Sequence, residues 1–302
     1  MMSARRLVVL AVSTLALIAT GLPAQASAWW EPPPLPARGP ATCAGPQLVK
    51  ADGQPWTCTF DDEFDGSSLD GKNWVPLTTA ATGAAGPACF ADSPNNISVS
   101  GGTLNLTARK EAAPFTCQSQ NTTFSTQYTA GEVASTNRFA QTYGRFAIRA
   151  KFPAATVAGL HSALWLWPQN ALYNGLFGEL DIAEVYSVYN DRAVPYMHYW
   201  YDPSTINLQT HVNNVTNNYC LIDDVTAFHE YTVEWTPTTM TILYDGHTCV
   251  TNNLLPYGTS PFDQPYFIAL TQTLENGGYN GFDPLRTPLP AMTRIDWVRV
   301  WK

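Results

Sequence analysis

Short runs of alternating apolar and polar residues recur along the chain from about residue 55 to its end. They are rich in β-branched and aromatic residues and are separated by Gly, Pro, Asn and Asp, a pattern typical of strands and turns. The clearest runs span residues 143–150, 162–167, 196–201, 231–235, 266–270 and 295–301. The sequence shows no convincing amphipathic helix. It therefore predicts an all-β fold, an antiparallel sandwich of two sheets.

The first 54 residues follow a different pattern. Residues 1–28 combine Arg5-Arg6, an apolar run over residues 7–18 and the small-residue site Ala26-Ser27-Ala28, which is typical of a secretory signal peptide. The apolar run is shorter than the ~20 residues that a bilayer span needs, which disfavours a membrane anchor. Residues 29–54 are rich in Pro and Gly and predict an extended linker. We therefore expect a secreted, extracellular protein whose folded domain spans residues 55–302.

The net charge of the chain limits the kinds of molecule that it can bind. The chain carries 24 Asp and Glu against 16 Lys and Arg, a net charge of −8. An acidic chain is a poor match for nucleic acid and for an anionic membrane surface, so we expect neither as a partner. A neutral or small partner is favoured.

All six cysteines lie beyond the predicted signal peptide, at positions 43, 58, 89, 117, 220 and 249. An even count in an oxidising compartment favours disulfides, and six cysteines allow fifteen connectivities. Two hairpins are predicted, one with strands 96–100 and 103–108 and one with strands 231–235 and 240–244, and each is flanked by two cysteines. We expect Cys89–Cys117 and Cys220–Cys249 to close the open ends of these hairpins, which leaves Cys43–Cys58.

One predicted strand is unusually acidic. It reads Gly178-Glu179-Leu180-Asp181-Ile182-Ala183-Glu184-Val185. On a strand Glu179 and Asp181 share one face, with Leu180 and Ile182 packed behind them, but Glu184 has the wrong parity. One extra residue, a β-bulge near Ile182-Ala183, returns Glu184 to the face of Glu179. Three carboxylates then line one face.

Two interpretations of this face remain open on the pattern alone. The first is a solvated polar face. The second is an acid–base site, because like charges ~6–7 Å apart repel unless one carboxyl keeps its proton. A carboxylate nucleophile beside a protonated carboxyl is the equipment of a retaining glycosidase.

The chain resembles glycoside hydrolase family 16, the laminarinase and lichenase group, over nearly all of residues 55–302. The motifs that carry the resemblance are Asp62-Glu63-Phe64-Asp65-Gly66, Tyr143-Gly144-Arg145-Phe146, Gly159-Leu160-His161-Ser162-Ala163-Leu164-Trp165, the acidic strand, Phe228-His229-Glu230-Tyr231-Thr232-Val233-Glu234-Trp235 and Ile295-Asp296-Trp297-Val298-Arg299-Val300. The resemblance implies a concanavalin A-like β-jelly roll with a concave substrate cleft. It also implies Glu179 as nucleophile, Glu184 as acid/base and Asp181 as the assisting carboxylate, with no cofactor for catalysis.

The same resemblance implies residues that hold the substrate. Trp165 matches a cleft tryptophan, although a buried core aromatic is the alternative. His198 matches a His-Tyr position and shares a strand face with Trp200. Glu132 and Gln272 fall at or near polar cleft positions of the family. Family members also bind a structural calcium, for which Asp296 and the carbonyl of Gly102 are the matching ligands, although Asp296 is equally an ion-pair residue.

The implied activity is that of a secreted endo-β-1,3(4)-glucanase, a monomer whose partner is a β-glucan polysaccharide. The chain departs from the laminarinase pattern at Gly159-Leu160-His161-Ser162, where an aromatic platform is missing. Three alternatives therefore stay open: a non-catalytic carbohydrate-binding jelly roll, a transglycosylase, and a galactan hydrolase on the same scaffold.

Overall fold

The alternating pattern of the sequence folds into antiparallel strands. The computed structural model describes residues 35, 41–83, 86–170, 177–200, 213–254 and 261–302, with the backbone alone at 177, 199, 200, 213 and 214. These residues belong to one compact unit that spans residues 34–302. The predicted signal peptide, residues 1–28, lies outside the described residues, as does most of residues 29–40.

The described residues form sixteen strands and two short helical turns. The strands are β1 Cys58–Asp62, β2 Val75–Pro76, β3 Ala88–Phe90, β4 Ile97–Ser100, β5 Thr103–Gln118, β6 Thr123–Ala134, β7 Gly144–Lys151, β8 Leu160–Pro168, β9 Phe177–Tyr186, β10 Val194–Trp200, β11 Asn213–Thr216, β12 His229–Trp235, β13 Thr239–Tyr244, β14 His247–Asn253, β15 Tyr266–Leu274 and β16 Ala291–Trp301. The helical turns are α1, Thr79–Thr82, and a 3₁₀ turn, Gly278–Asn280.

The strands build two sheets. The first runs β4-β5-β16-β7-β12-β13-β14, with β1 also paired to β16, and the second runs β11-β10-β9-β8-β15-β6, with β2 also paired to β6. The long strands β5 and β6 pair with each other beyond the sheets and so connect them. The pairs are antiparallel except β3 with β6, which is parallel.

The core lies between the two sheets. Leu104, Ile148 and Ile242 of the first sheet, together with Leu166 and Leu180 of the second, are fully buried in one apolar cluster. Their neighbours along each strand point the other way, because side chains alternate across a strand. The predicted all-β jelly-roll sandwich is confirmed, and the outer face of the second sheet is left for the acidic side chains. Among the described residues, no helix combines the length and apolar character that a bilayer span requires.

The disulfides join the three predicted pairs: Cys43–Cys58, Cys89–Cys117 and Cys220–Cys249. The hairpin explanation needs correction. The predicted strand 103–108 continues to Gln118, so Cys117 lies inside β5, and Cys249 lies in β14, a strand that the predicted second hairpin lacked. The Cys43–Cys58 disulfide fixes the end of the predicted linker. The backbone N–H of Trp56 also donates to the carbonyl of Leu48 there, at 2.9 Å.

Candidate active site

The three acidic residues of β9 lie on the outer face of the second sheet. Trp165 of β8 pairs with Asp181 and Leu164 pairs with Ala183, so Ile182 is an extra residue in the ladder. Ile182 and Ala183 are both fully buried in the core. The bulge expected from the sequence is therefore present, and it returns Glu184 to the face that carries Glu179 and Asp181.

These side chains line a cavity of about 640 Å³. Glu179, Asp181 and Glu184 lie on its wall, together with Trp165 and Trp167 of β8. Trp165 is held in place because its indole N–H donates to the Thr271 hydroxyl of β15 at 2.9 Å. The cavity therefore combines carboxyls with aromatic faces, which suits a sugar ring with polar edges and apolar C–H faces.

Asp181 and Glu184 of β9 are buried and Glu179 is partly buried, and their charges affect one another. Burial, and then the charge of Asp181, raise the pKa of Glu179 to about 9. Burial, and then the charge of Glu184, raise the pKa of Asp181 well above its ordinary value. Glu179 and Asp181 therefore hold their protons to higher pH than ordinary carboxyls do, and at neutral pH this pair keeps at least one proton.

His198 approaches the middle carboxyl. Its Nε2 lies 3.3 Å from Oδ2 of Asp181, and its ring stacks on Tyr196 at 5.1 Å between centroids. The register of β10 places His198 opposite Glu179. The structure thus brings His198 to the acidic set, as an orienting contact for Asp181. Trp200 ends β10, and its side chain lies outside the described part of the chain.

Glu184 has contacts that sequence reasoning missed. His161 Nε2 lies 2.8 Å from Oε1 of Glu184, and the hydroxyl of Tyr186 donates to Oε2 at 2.9 Å. The other ring nitrogen of His161 lies 3.5 Å from Oε2 of Glu275. Strand alternation back from Trp165 puts His161 on the cleft face, and that parity was the available signal.

Gln272 requires a correction. It was predicted to bind substrate, but its side chain is fully buried, and its amide oxygen accepts from Ser162 and Thr293 at 2.7 Å each. Parity explains the difference, because the neighbours Thr271 and Thr273 point to the cavity and Gln272 points away from it. Gln272 therefore acts as an interior hydrogen-bond hub.

Glu132 lies on the cavity wall as expected, with only 4% of its surface exposed. Burial raises its pKa from 4.5 to about 8. At neutral pH the group is therefore a carboxylic acid, able to donate a hydrogen bond to a sugar hydroxyl.

This state of Glu132 predicts a pH effect on stability. Between pH 4.5 and about 8 the unfolded chain releases a proton that the folded chain keeps, so the contribution of Glu132 to stability falls as pH rises, by roughly 1.4 kcal/mol per pH unit. Glu132→Gln should remove that loss, and its advantage over the wild type in free energy of unfolding should grow across this window. Denaturant titrations at several pH values measure it. If the free energies of unfolding of the two proteins ran parallel across this pH range, Glu132 would be ionised in the folded protein, contrary to the prediction.

The calcium ligands stay a prediction. Asp296 forms an ion pair with Arg149, whose positive charge competes with a cation at that carboxylate. Gly102 lies in the β4–β5 turn. The residues that the structure describes contain no group of three or more His, Cys, Asp or Glu arranged to hold a metal ion. The Arg149 ion pair is thus the observed contact of the Asp296 carboxylate.

The chain is similar to several known proteins. A family model described as β-porphyranase A–D, GH16 domain, matches residues 57–302. Glucan endo-1,3-beta-glucosidase A1 of Niallia circulans is 27% identical over 80% of this chain and 37% of that protein. A beta-glucanase of Rhodothermus marinus is 26% identical over 82% of this chain and 85% of that protein. A keratan-sulfate endo-1,4-beta-galactosidase of Sphingobacterium multivorum is 30% identical over 58% of this chain and 40% of that protein. The chain thus spans less than half of the first and third proteins.

Solved structures agree with the fold. The laminarinase from Rhodothermus marinus has a TM-score of 0.67 at 25% identity, covering 82% of this chain and 97% of that one. A structure of the endo-acting O-glycanases that human gut bacteria express has a TM-score of 0.70 at 23% identity, covering 85% and 94%. At that identity the second likeness shows the fold alone.

Proposed function

The chain belongs to glycoside hydrolase family 16, and from that membership we propose that it is a secreted, monomeric, retaining endo-β-glycosidase that cleaves β-1,3- or mixed β-1,3(4)-glucan. The family predicted from the sequence motifs is confirmed by the match over residues 57–302. The observation that carries the proposed activity is the bulged strand β9, which presents Glu179, Asp181 and Glu184 together in one cavity. The three disulfides support the proposed extracellular location.

The proposed reaction uses these carboxyls in two steps. In the reactive protonation state the proton kept by the Glu179–Asp181 pair is on Asp181, so Glu179 is ionised. Glu179 then attacks the anomeric carbon while protonated Glu184 donates its proton to the departing oxygen, which leaves a covalent glycosyl-enzyme. Glu184 then takes a proton from water, and the resulting hydroxide releases the sugar with its original configuration. Burial raises the pKa of Asp181, which in this scheme acts as the hydrogen-bond donor that orients Glu179. The side chains supply every proton and the nucleophile, so the proposal requires no cofactor.

The charge of the cavity favours an uncharged glycan. Its described lining contains Glu132 and the three carboxyls of β9 but neither Lys nor Arg. Segments 84–85, 171–176, 201–212 and 255–260 also contain no Lys or Arg in their sequences. A sulfated or carboxylated chain would therefore find neither lysine nor arginine in this lining to pair with.

The identity of the sugar has two candidates. The first and second relatives are named for glucans, which supports a β-glucan. The family model is named for β-porphyranases and the third relative for a β-galactosidase activity, which supports a galactan hydrolase as the second candidate. A carbohydrate-binding protein without catalysis is disfavoured, because crowding three carboxyls, two of them buried, costs stability without aiding binding.

A substrate panel tests the proposal. We expect purified protein to cut laminarin and mixed-linkage β-glucan internally, giving oligosaccharides that are initially β-configured, and to leave keratan sulfate and carrageenan intact. Product masses and early NMR spectra of the anomeric protons measure this, with Glu184→Gln as the inactive control. Galactose oligomers from agarose alone would replace the glucanase by the galactan hydrolase. Binding without any product would favour the non-catalytic alternative.

A further inference from the structure

The imidazole of His161 lies between two carboxylates from different elements. Nε2 lies 2.8 Å from Oε1 of Glu184 on β9, and Nδ1 lies 3.5 Å from Oε2 of Glu275, which follows β15. A neutral imidazole has one N–H and one acceptor nitrogen, whereas a carboxylate only accepts. An imidazolium donates from both nitrogens, so it suits the carboxylate of Glu275 on one side and an oxygen of Glu184 on the other. That oxygen accepts as the carbonyl of the protonated acid before the proton leaves, and as part of the anion afterwards.

The ring is fixed in this position. It stacks on Tyr186 at 4.7 Å with an interplanar angle of 6°, and the two residues are paired across β8 and β9. Burial, and then the charge of Glu184, raise the pKa of Tyr186, so its hydroxyl stays protonated and donates to the second oxygen of Glu184. Both oxygens of Glu184 are thus held by side chains that touch each other.

We propose that His161 is a positioning residue for Glu184, an imidazolium anchored by Glu275 that orients the acid/base carboxyl and stabilises its anion. This rests on the proposed function, since it needs Glu184 to give up a proton. Nothing in the motifs that define the family resemblance assigns a role to His161, which stands where the laminarinase pattern has an aromatic platform.

The movement of charge in the first step explains the benefit. As the bond from Glu179 to the anomeric carbon forms and the glycosidic bond breaks, the proton of Glu184 passes to the leaving oxygen. One negative charge thereby disappears from Glu179 and appears on Glu184. A fixed positive charge 2.8 Å from Glu184 favours the second location over the first, so it stabilises the transition state more than the ground state.

The surroundings of His161 support its charged form. Burial lowers the pKa of His161, but the hydrogen bond with Glu184 and the charges of Glu184, Glu275 and Glu179 raise it by more, for a net rise. These acids face the ring from β9 and from the end of β15, and the phenol of Tyr186 covers one ring face. The imidazolium, and with it the support for Glu184, is lost as pH rises through this pKa.

Histidine-ring NMR tests the charge without relying on activity. The chain has five histidines, and His161→Gln identifies the His161 signal by its loss. We expect the ring to titrate above the ordinary value in the wild type and its pKa to fall by about one unit or more in Glu275→Gln, with loss of a neighbouring charge. An ordinary titration that Glu275→Gln leaves unchanged would overturn the imidazolium.

The positioning role is tested by steady-state kinetics, measured on whichever substrate the substrate panel identifies. His161→Leu should lower kcat roughly 10- to 100-fold, less than loss of the acid itself. His161→Gln, which keeps a neutral donor, should recover part of that rate and lack the alkaline limb that His161 gives the wild type. His247→Gln, in the first sheet, is the matched control and should behave as the wild type. An unchanged kcat and pH profile in His161→Leu would refute the positioning role. A wild type that is inactive on every substrate, but whose His161 ring titrates above the ordinary value as expected, would refute only the proposed function.

Discussion

Glu179→Ala is expected to lose hydrolysis by roughly 100-fold or more while the protein remains folded, because the change removes the nucleophile and relieves crowding among buried carboxyls. Added azide should restore turnover by attacking from the side that the carboxylate leaves empty. The product is then a glycosyl azide of inverted configuration, which NMR of the anomeric proton identifies.

Glu184→Ala is the partner experiment that separates the two roles. Azide should here replace water in the second step and give a glycosyl azide of retained configuration, because Glu179 still forms the covalent intermediate. Glu111→Ala, on β5 outside the cavity, controls for loss of a glutamate. Full activity of Glu179→Ala without any added nucleophile would end the proposed mechanism.

Removing the Cys220–Cys249 disulfide is expected to lower the free energy of unfolding by roughly 3–4 kcal/mol on the loop-entropy model. The two cysteines are 29 residues apart, and they tie the segment after β11 to β14. Replacing both by Ala avoids a free thiol, and denaturant unfolding under non-reducing conditions measures the change. Removing Cys43–Cys58, with a separation of 15, should cost slightly less, about 3 kcal/mol.

Non-reducing peptide mapping of the wild type is the control for this comparison. Cys117 joined to Cys220 would contradict the connectivity. Unfolding curves that coincide for the wild type and the double Ala variant would contradict the stabilisation.

The arrangement of the acidic strand could be predicted because it depends only on the alternation of neighbouring residues along that strand. Parity along seven residues separates Leu180 from Glu179 and Asp181, and it shows that Glu184 needs one extra residue to join them. The bulge at Ile182 supplies that residue. Local alternation also predicted most strands, since their turns contain Gly, Pro, Asn or Asp.

Features that depend on register between strands were not available from the sequence. His161 meets Glu184 only because β8 and β9 pair in a particular register, 23 residues apart along the chain. Gln272 was placed in the cleft because it falls near a polar cleft position of the family, but β15 directs Thr271 to the cavity instead. Strand β5 continues beyond the predicted end at Ala108 to Gln118, and it accommodates Pro114 in an irregular stretch of its ladder with β6, between Lys110 and Phe115.

The two ends of the folded domain meet at β1 and β16. Thr57 and Lys302 exchange two backbone hydrogen bonds, of 3.0 and 2.8 Å, and Cys58 pairs with Trp301. Both strands belong to the first sheet, whereas the cavity opens on the second. A tether attached at Lys302, to a bead or to a neighbouring module, would therefore leave the cleft free for a long polymer. The same proximity makes the chain suitable for circular permutation, with new ends at the β13–β14 turn around Gly246.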